Sequence, residues 1–306
     1  MLLLGTTWSD VAQQVVSGLA TGSIYASLAL AIVIIYRSTG VVNFAQGEMA
    51  TFTTFIAWTL VDHGVGYWGA FALTLLIAFV GGFALERIVV RPVEGKPVIN
   101  AVILTIGLFI LLGGLSNWIW KAEVRSFPPS RPFPTSAWDL GGVAVSKQDA
   151  GILAVMLVLL AVLSALFRYT KLGLALRASA LNPVASRLVG IRVGWMLGLG
   201  WGLAAAIGAV AGLFTAAAAP PLDPNMMRPV LIYAFAAAVV GGLESPVGAV
   251  VGGLVIGVVL NLIATYDTHL HLDLDRMRLP IALALILVVL LIRPTGLFGR
   301  QVVRRV

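Results

Sequence analysis

Six stretches of this chain carry no Asp, Glu, Lys or Arg: Val11 to Tyr36, Gly64 to Leu85, Val98 to Trp120, Ala150 to Phe167, Gly194 to Ala219 and Pro246 to Tyr266. A helix needs roughly 20 residues to cross about 30 Å of hydrocarbon, and each stretch is near that length. Three shorter apolar runs, Met49 to Val61, Val230 to Leu243 and Leu279 to Ile292, lie between and after them. Backbone groups left unpaired in lipid are costly, and the runs lack the alternation of barrel strands, so helices are the spanning form. The expected fold is all-α: a polytopic membrane helix bundle of about eight to ten spans, some of them short or discontinuous. Composition agrees, because 59% of the 306 residues are hydrophobic and 11% charged, against about 45–50% and about a quarter in soluble domains.

The basic residues set the orientation. Arg168, Lys171, Arg177, Arg187 and Arg192 share one connection without an acid, and Arg293, Arg300, Arg304 and Arg305 end the chain. Cytoplasmic loops are rich in Lys and Arg, which places both inside. Alternating crossings then put Arg37 and the Arg87, Arg91, Lys96 connection inside, with the N-terminus, Lys121 to Asp149 and Asp267 to Arg278 outside. A net charge of +7 is explained by these short gaps rather than by a nucleic-acid surface. Met1 to Asp10 contains no Lys or Arg, unlike the basic start of a signal peptide, so the first run reads as a retained span. Cysteine is absent, which excludes disulfides, thiolate metal sites and thiol nucleophiles.

Glycines recur at four-residue spacing within the spans: Gly18 with Gly22, Gly208 with Gly212, Gly248 with Gly252 and Gly253 with Gly257. Such pairs let helix backbones approach closely in lipid. Two places break the helical pattern. Ser38 to Glu48 puts Asn43, Gln46, Glu48, Gly40 and Gly47 just before a short apolar run, and Pro220 to Asn225 precedes another that ends at Gly241 to Pro246. Interrupted hydrophobic segments of this kind suit either an interfacial turn or the lining of a solute path. Asn43, Gln46 and Glu48 are the candidate path residues.

Four segments carry a family resemblance. Leu172 to Val193 (LGLALRASALNPVASRLVGIRV), Val42 to Met49 (VNFAQGEM), Gly241 to Gly253 (GGLESPVGAVVGG) and Arg293 to Gly299 (RPTGLFG) together resemble the permease subunits of branched-chain amino-acid ABC importers, the LivH type. The resemblance implies a single transmembrane permease domain over residues 1–306 in a bacterial or archaeal plasma membrane, with a cytoplasmic coupling loop at 168–193. It implies as partners a second related permease, two cytoplasmic P-loop ATPases using ATP and magnesium, and an extracytoplasmic solute-binding protein. The usual cargo is leucine, isoleucine and valine; relatives carry other amino acids, amides, urea or aromatic acids. The chain itself has no phosphate-cradling loop: Gly95-Lys96 is followed by Pro97, and Val90 stands where the first glycine belongs.

Within the 168–193 connection, Asn182 suits an N-cap, Pro183 the first helical position and Gly190 a left-handed end, which predicts a short helix over Pro183 to Val189. Val184, Leu188 and Val189 would enter a groove on a partner with Arg177, Arg187 and Arg192 at its rim, or lie on anionic headgroups. Read with the resemblance, Arg177, Asn182, Pro183, Val184, Arg187, Leu188 and Gly190 form the surface that couples to an ATPase. His269, His271, Asp267, Asp273 and Asp275 alternate in the manner of a solvated loop rather than a metal site. Glu244 reads as a helix-start acid, and Trp68, Trp118, Trp120 and Trp138 as an interfacial belt. An ion- or proton-coupled carrier, the main alternative, would place ionisable residues within its spans, and the six long runs have none. A channel is a further alternative. A lining of small apolar residues with Asn43 and Gln46 as exceptions suits a neutral or zwitterionic solute.

Overall fold

The computed structural model of the protein describes residues 8–121, 123–125, 132–134, 136–139, 141–218, 221–270 and 277–299. Every apolar run is helical. The long ones form α1 (Trp8–Thr39), α3 (Tyr67–Leu85), α4 (Val98–Trp120), α5 (Lys147–Tyr169), α8 (Val193–Ala218) and α10 (Pro246–Leu270), and the short ones form α2 (Gln46–Asp62), α9 (Met227–Gly241) and α11 (Arg278–Ile292). The basic connection holds two more, α6 (Lys171–Leu181) and α7 (Pro183–Leu188). Among the described residues six helices are long and apolar enough to cross a membrane. With 17 residues, α2 reaches about 25 Å, short of a full hydrocarbon layer.

Three connections differ from expectation. A π-helical turn, Glu86–Val90, and a 3-10 turn, Arg91–Val93, prolong α3, so Arg87 and Arg91 belong to a helix end rather than a free loop. Residues 137–146 form an antiparallel hairpin of β1 (Ala137–Asp139) and β2 (Ala144–Ser146), with Trp138 opposite Val145. The backbone of α10 stays helical past Asp267 to Leu270. His271, Asp273, Asp275, Arg300, Arg304 and Arg305 lie outside the described residues.

The chain forms two compact units, one of Met1–Ala29, Phe133–Leu157 and Pro229–Val306, the other of Leu30–Pro132 and Val158–Arg228. In the first, α1 meets α10 through glycine. A methyl group on Gly22 would fall 2.9 Å from the Gly253 carbonyl oxygen, and one on Gly18 would fall 2.7 Å from Val258 Cα. Contacts this close hold helices together where lipid is as apolar as the side chains. Tyr25 packs on Tyr233 with ring centres 5.2 Å apart, and Ser27 Oγ reaches Met156 Sδ at 3.0 Å. The C-terminal strap closes this unit: Leu297 N donates to Val240 O at 2.8 Å and Phe298 N to Gly241 O at 3.1 Å. Two segments of the family resemblance, at 241–253 and 293–299, thus meet. Gly242, with φ of 102°, lies against Thr295 and Gly299. A side chain there would be strained by the left-handed backbone and blocked by the strap.

In the second unit α8 packs against α2 and α3. A methyl on Gly82 would lie 2.7 Å from the Trp201 carbonyl oxygen, and one on Gly212 would lie 2.8 Å from that of Ala50. At the far end of α2, Phe55 stacks on Trp120 at 5.1 Å and Phe52 meets its edge at 5.3 Å, while Trp120 Nε1 donates to Thr59 Oγ1 at 3.0 Å. Trp120 is therefore a core residue, not part of an interfacial belt, because its N–H finds a partner inside. Trp68, Trp118 and Trp138 are exposed.

Candidate functional site

The first break lies deep in the second unit. Gly40, with φ of 71°, ends α1, and Gly40 N donates to Tyr36 O at 2.7 Å. The chain then turns through Asn43, whose Oδ1 accepts from Ala45 N at 3.0 Å. Asn43 Nδ2 donates to Gln46 Oε1 at 3.1 Å, and Gln46 Nε2 to the Ala204 carbonyl at 2.9 Å. Helix α8 serves as a ruler of depth, since Ala204 lies about 16 Å along it at 1.5 Å per residue. The α1–α2 break thus reaches the middle of a membrane-spanning helix, where freed backbone groups need protein partners. Asn43 supplies one for Ala45 N, Gln46 ties the turn to α8, and both side chains are fully buried. Gly208 makes room, because a methyl there would fall 2.6 Å from Gln46 Nε2.

Two residues further, Glu48 is buried, and its Oε1 accepts from Arg228 Nε at 3.4 Å. Arg228 sits in the first turn of α9, just after the second break, and its guanidinium lies 5.7 Å from the centre of the Phe109 ring. The two breaks are therefore joined through a charge pair. The second break is anchored by Leu222, whose backbone pairs with Arg125 in both directions at 2.8 and 2.9 Å. The Arg125 guanidinium stacks 4.4 Å over the Trp58 ring.

The basic connection is built differently. Thr170 caps α6 by accepting from Gly173 N at 3.0 Å. Asn182 caps α7 by accepting from Ala185 N at 2.9 Å, Pro183 takes the first helical position, and Gly190 turns with φ of 85°. The helix expected at Pro183 to Val189 is present and one residue shorter. Ser186 points inward, while Val184, Leu188 and Val189 are 67%, 84% and 76% exposed. Arg187 and Arg192 are exposed, and half-buried Arg177 bonds the Gly173 carbonyl.

The family described as "branched-chain amino acid transport system / permease component" matches residues 14–293. The chain belongs to this family. The permease is 30% identical over 96% of its length to the high-affinity branched-chain amino acid transport system permease protein BraD of Pseudomonas aeruginosa, covering 97% of that protein. It is 28% identical to the corresponding LivH of Escherichia coli, again over 96% and 97% of the two chains. A probable branched-chain amino acid transport permease protein LivH of Methanocaldococcus jannaschii is 32% identical over 78% of this chain and 76% of its own. The carrier and channel readings find no counterpart among these relatives.

Sequence reasoning placed Asn43, Gln46 and Glu48 together, and the structure joins them to α8 and α9. It missed Arg228, whose signal was a lone cation directly after the Pro220–Asn225 break. It also missed Glu86, fully buried in the π-helical turn against α8, where a methyl on Gly198 would lie 2.9 Å from its Oε2. A carboxylate at the end of a long apolar run reads as an interface residue, and only the continuing helix buries it. Glu244 is exposed at the turn before α10, where Ser245 Oγ makes the cap by accepting from Gly248 N at 3.0 Å. Among the described residues no group of three or more His, Asp or Glu side chains is placed to hold a metal.

Proposed function

We propose that the permease forms the solute path of an ABC importer for branched-chain or other neutral amino acids in a bacterial or archaeal plasma membrane. The break at Asn43, Gln46 and Glu48 serves that path. The observation that carries this reading is the polar, non-helical segment braced against the middle of α8 through Gln46 and Ala204, in a chain of this family. Backbone irregularity at that depth is tolerated beside protein or water, which is what a path through a bundle provides.

The chain acts as one transport domain and catalyses no reaction of its own. ATP and magnesium are used by two separate P-loop ATPases, which dock on the cytoplasmic 168–193 connection through α7. A second, related permease completes the path, and an extracytoplasmic binding protein selects the solute before delivery. Support for the docking surface comes from Val184 and Leu188, apolar side chains exposed outside the spanning helices and flanked by Arg187 and Arg192. Lipid-facing exposure explains apolar side chains within spans; between charged residues a protein groove is the better match.

The test is reconstitution. Purified chain alone shows no ATP hydrolysis, and vesicles holding it with the second permease, both ATPases and the binding protein accumulate labelled leucine only when ATP is enclosed on the ATPase side. Hydrolysis by a clean preparation of this chain overturns the division of labour. Leucine uptake driven by an ion gradient without ATPases overturns the importer reading.

A further inference from the structure

Glu48 and Arg228 hold more charge at this depth than the bracing of a helix break needs. Glu48 Oε1 is engaged by Arg228 Nε at a long 3.4 Å, while Glu48 Oε2 is buried and has no hydrogen-bond partner among the described residues. Glu48 is 2% exposed, yet the side chain of Arg228 is 51% exposed. Within a membrane a guanidinium with an open face is stable beside water or a polar ligand, not hydrocarbon. The Phe109 ring backs the guanidinium, which favours one orientation of its planar fork. On α4, Gly113 faces the carboxylate, and a methyl there would fall 3.3 Å from Oε2.

We propose that Glu48 and Arg228 recognise the two charged ends of an α-amino acid as it passes, the solute carboxylate docking on the exposed terminal nitrogens of Arg228 and drawing that side chain off Glu48, whose carboxylate, closed off while the pair is intact, then takes the ammonium. The proposal rests on the amino-acid reading above and adds the residues that enforce it. Arg matches a carboxylate with two parallel N–H donors, and a carboxylate with a free oxygen accepts from an ammonium. The pair is neutral as a unit and so is a zwitterion, so loading changes no net charge at membrane depth. A solute lacking either end leaves one member of the pair unmatched, and unpaired buried charge is costly.

The experiment uses the complete assembly in vesicles, with labelled leucine as the probe. Arg228→Gln is expected to lower leucine uptake roughly tenfold or more, as loss of a charge-assisted hydrogen bond does, with Arg228→Lys intermediate because it keeps the charge and loses the fork. The neutral double variant Glu48→Gln with Arg228→Gln removes the pair without stranding a charge, and is expected to assemble and still fail to carry leucine. Recovery of uptake in that variant, or undiminished uptake in Arg228→Gln, overturns the proposal while leaving the importer reading intact. If the wild-type assembly carries no leucine, the amino-acid reading fails and this inference falls with it.

A binding readout stands apart from transport. The chain has no cysteine, so Phe109→Cys supplies its one thiol beside an intact pair. A water-soluble cationic methanethiosulfonate is expected to label it, and leucine to slow labelling severalfold. Neither 3-methylbutylamine nor 4-methylpentanoate, each lacking one charged end, is expected to protect. Labelling only by a lipid-soluble maleimide, or equal protection by all three compounds, overturns the proposal even if the charge variants fail to assemble.

Discussion

The start of α2 and the start of α7 are built alike and finished in opposite ways. Each follows a break, and each is preceded by an asparagine whose Oδ1 accepts from a backbone N–H, Asn43 from Ala45 and Asn182 from Ala185. Beyond the asparagines, α2 buries Gln46 and Glu48, whereas α7 exposes Val184 and Leu188. A membrane protein hides polar groups where lipid would strand them, and it shows apolar groups to lipid at no cost. Neither rule covers α7, which lies in a connection with Arg177, Arg187 and Arg192. The proposed docking gives the apolar side chains there a partner, as α8 and α9 give one to the polar side chains of α2. On the proposed reading, the inversion separates a part that works inside the bundle from a part that docks on another protein.

The comparison breaks most readily at Leu188. Leu188→Asp leaves the chain's own fold alone, since the side chain is 84% exposed and such surface changes stay within about 0.5 kcal/mol. Docked in an apolar groove, the new carboxylate has no counter-charge, and its desolvation costs about 3 kcal/mol or more. The expected outcome is loss of the ATPases from the purified assembly, a weakening of more than about a hundredfold, and no ATP-driven uptake. Normal co-purification and uptake would show that α7 rests on headgroups.

What was legible beforehand follows from how local each signal is. The spans were readable because an apolar run of this length has one solvent, and α7 was readable because Asn182, Pro183 and Gly190 specify a cap, a first turn and a stop within nine residues. The extension of α3 was not: Glu86, Arg87 and Arg91 look like a loop in sequence, and only packing against α8 keeps them helical. Trp120 looked like Trp118, its neighbour by two positions, but the hydroxyl of Thr59 and the ring of Phe55 draw it inward. The Glu48–Arg228 pair spans 180 positions, a separation that no local pattern encodes.

A middle-sized effect is expected at Gln46. Gln46→Leu removes the donor to Ala204 and the acceptor for Asn43 Nδ2, which is left with a 3.5 Å contact to Met49 Sδ. For an interfacial turn the cost would be about 1 kcal/mol or less. Burial raises it to about 1–3 kcal/mol, because a stranded buried donor keeps its full desolvation penalty. A lower melting temperature of the assembly and reduced leucine uptake per folded complex are expected. Unchanged values for both would mean that the asparagine–glutamine pair does not hold the break.

The smallest effect sharpens the comparison at the matching asparagine of α7. Asn182→Ala removes the acceptor for Ala185 N while leaving every exposed apolar side chain of the helix in place. Loss of an N-cap costs about 1 kcal/mol, and α7 has only six residues with little else to hold its first turn. Its folded fraction should fall, and a partner that binds the folded helix then binds more weakly by that fraction, about fivefold at most. Asn182→Asp keeps a cap oxygen and should restore affinity. Titration of the ATPases onto the reconstituted permease reads both variants. Equal affinity in all three would mean that the partner grips Val184 and Leu188 whatever the state of the helix, and that the cap shapes the free chain rather than the docked one.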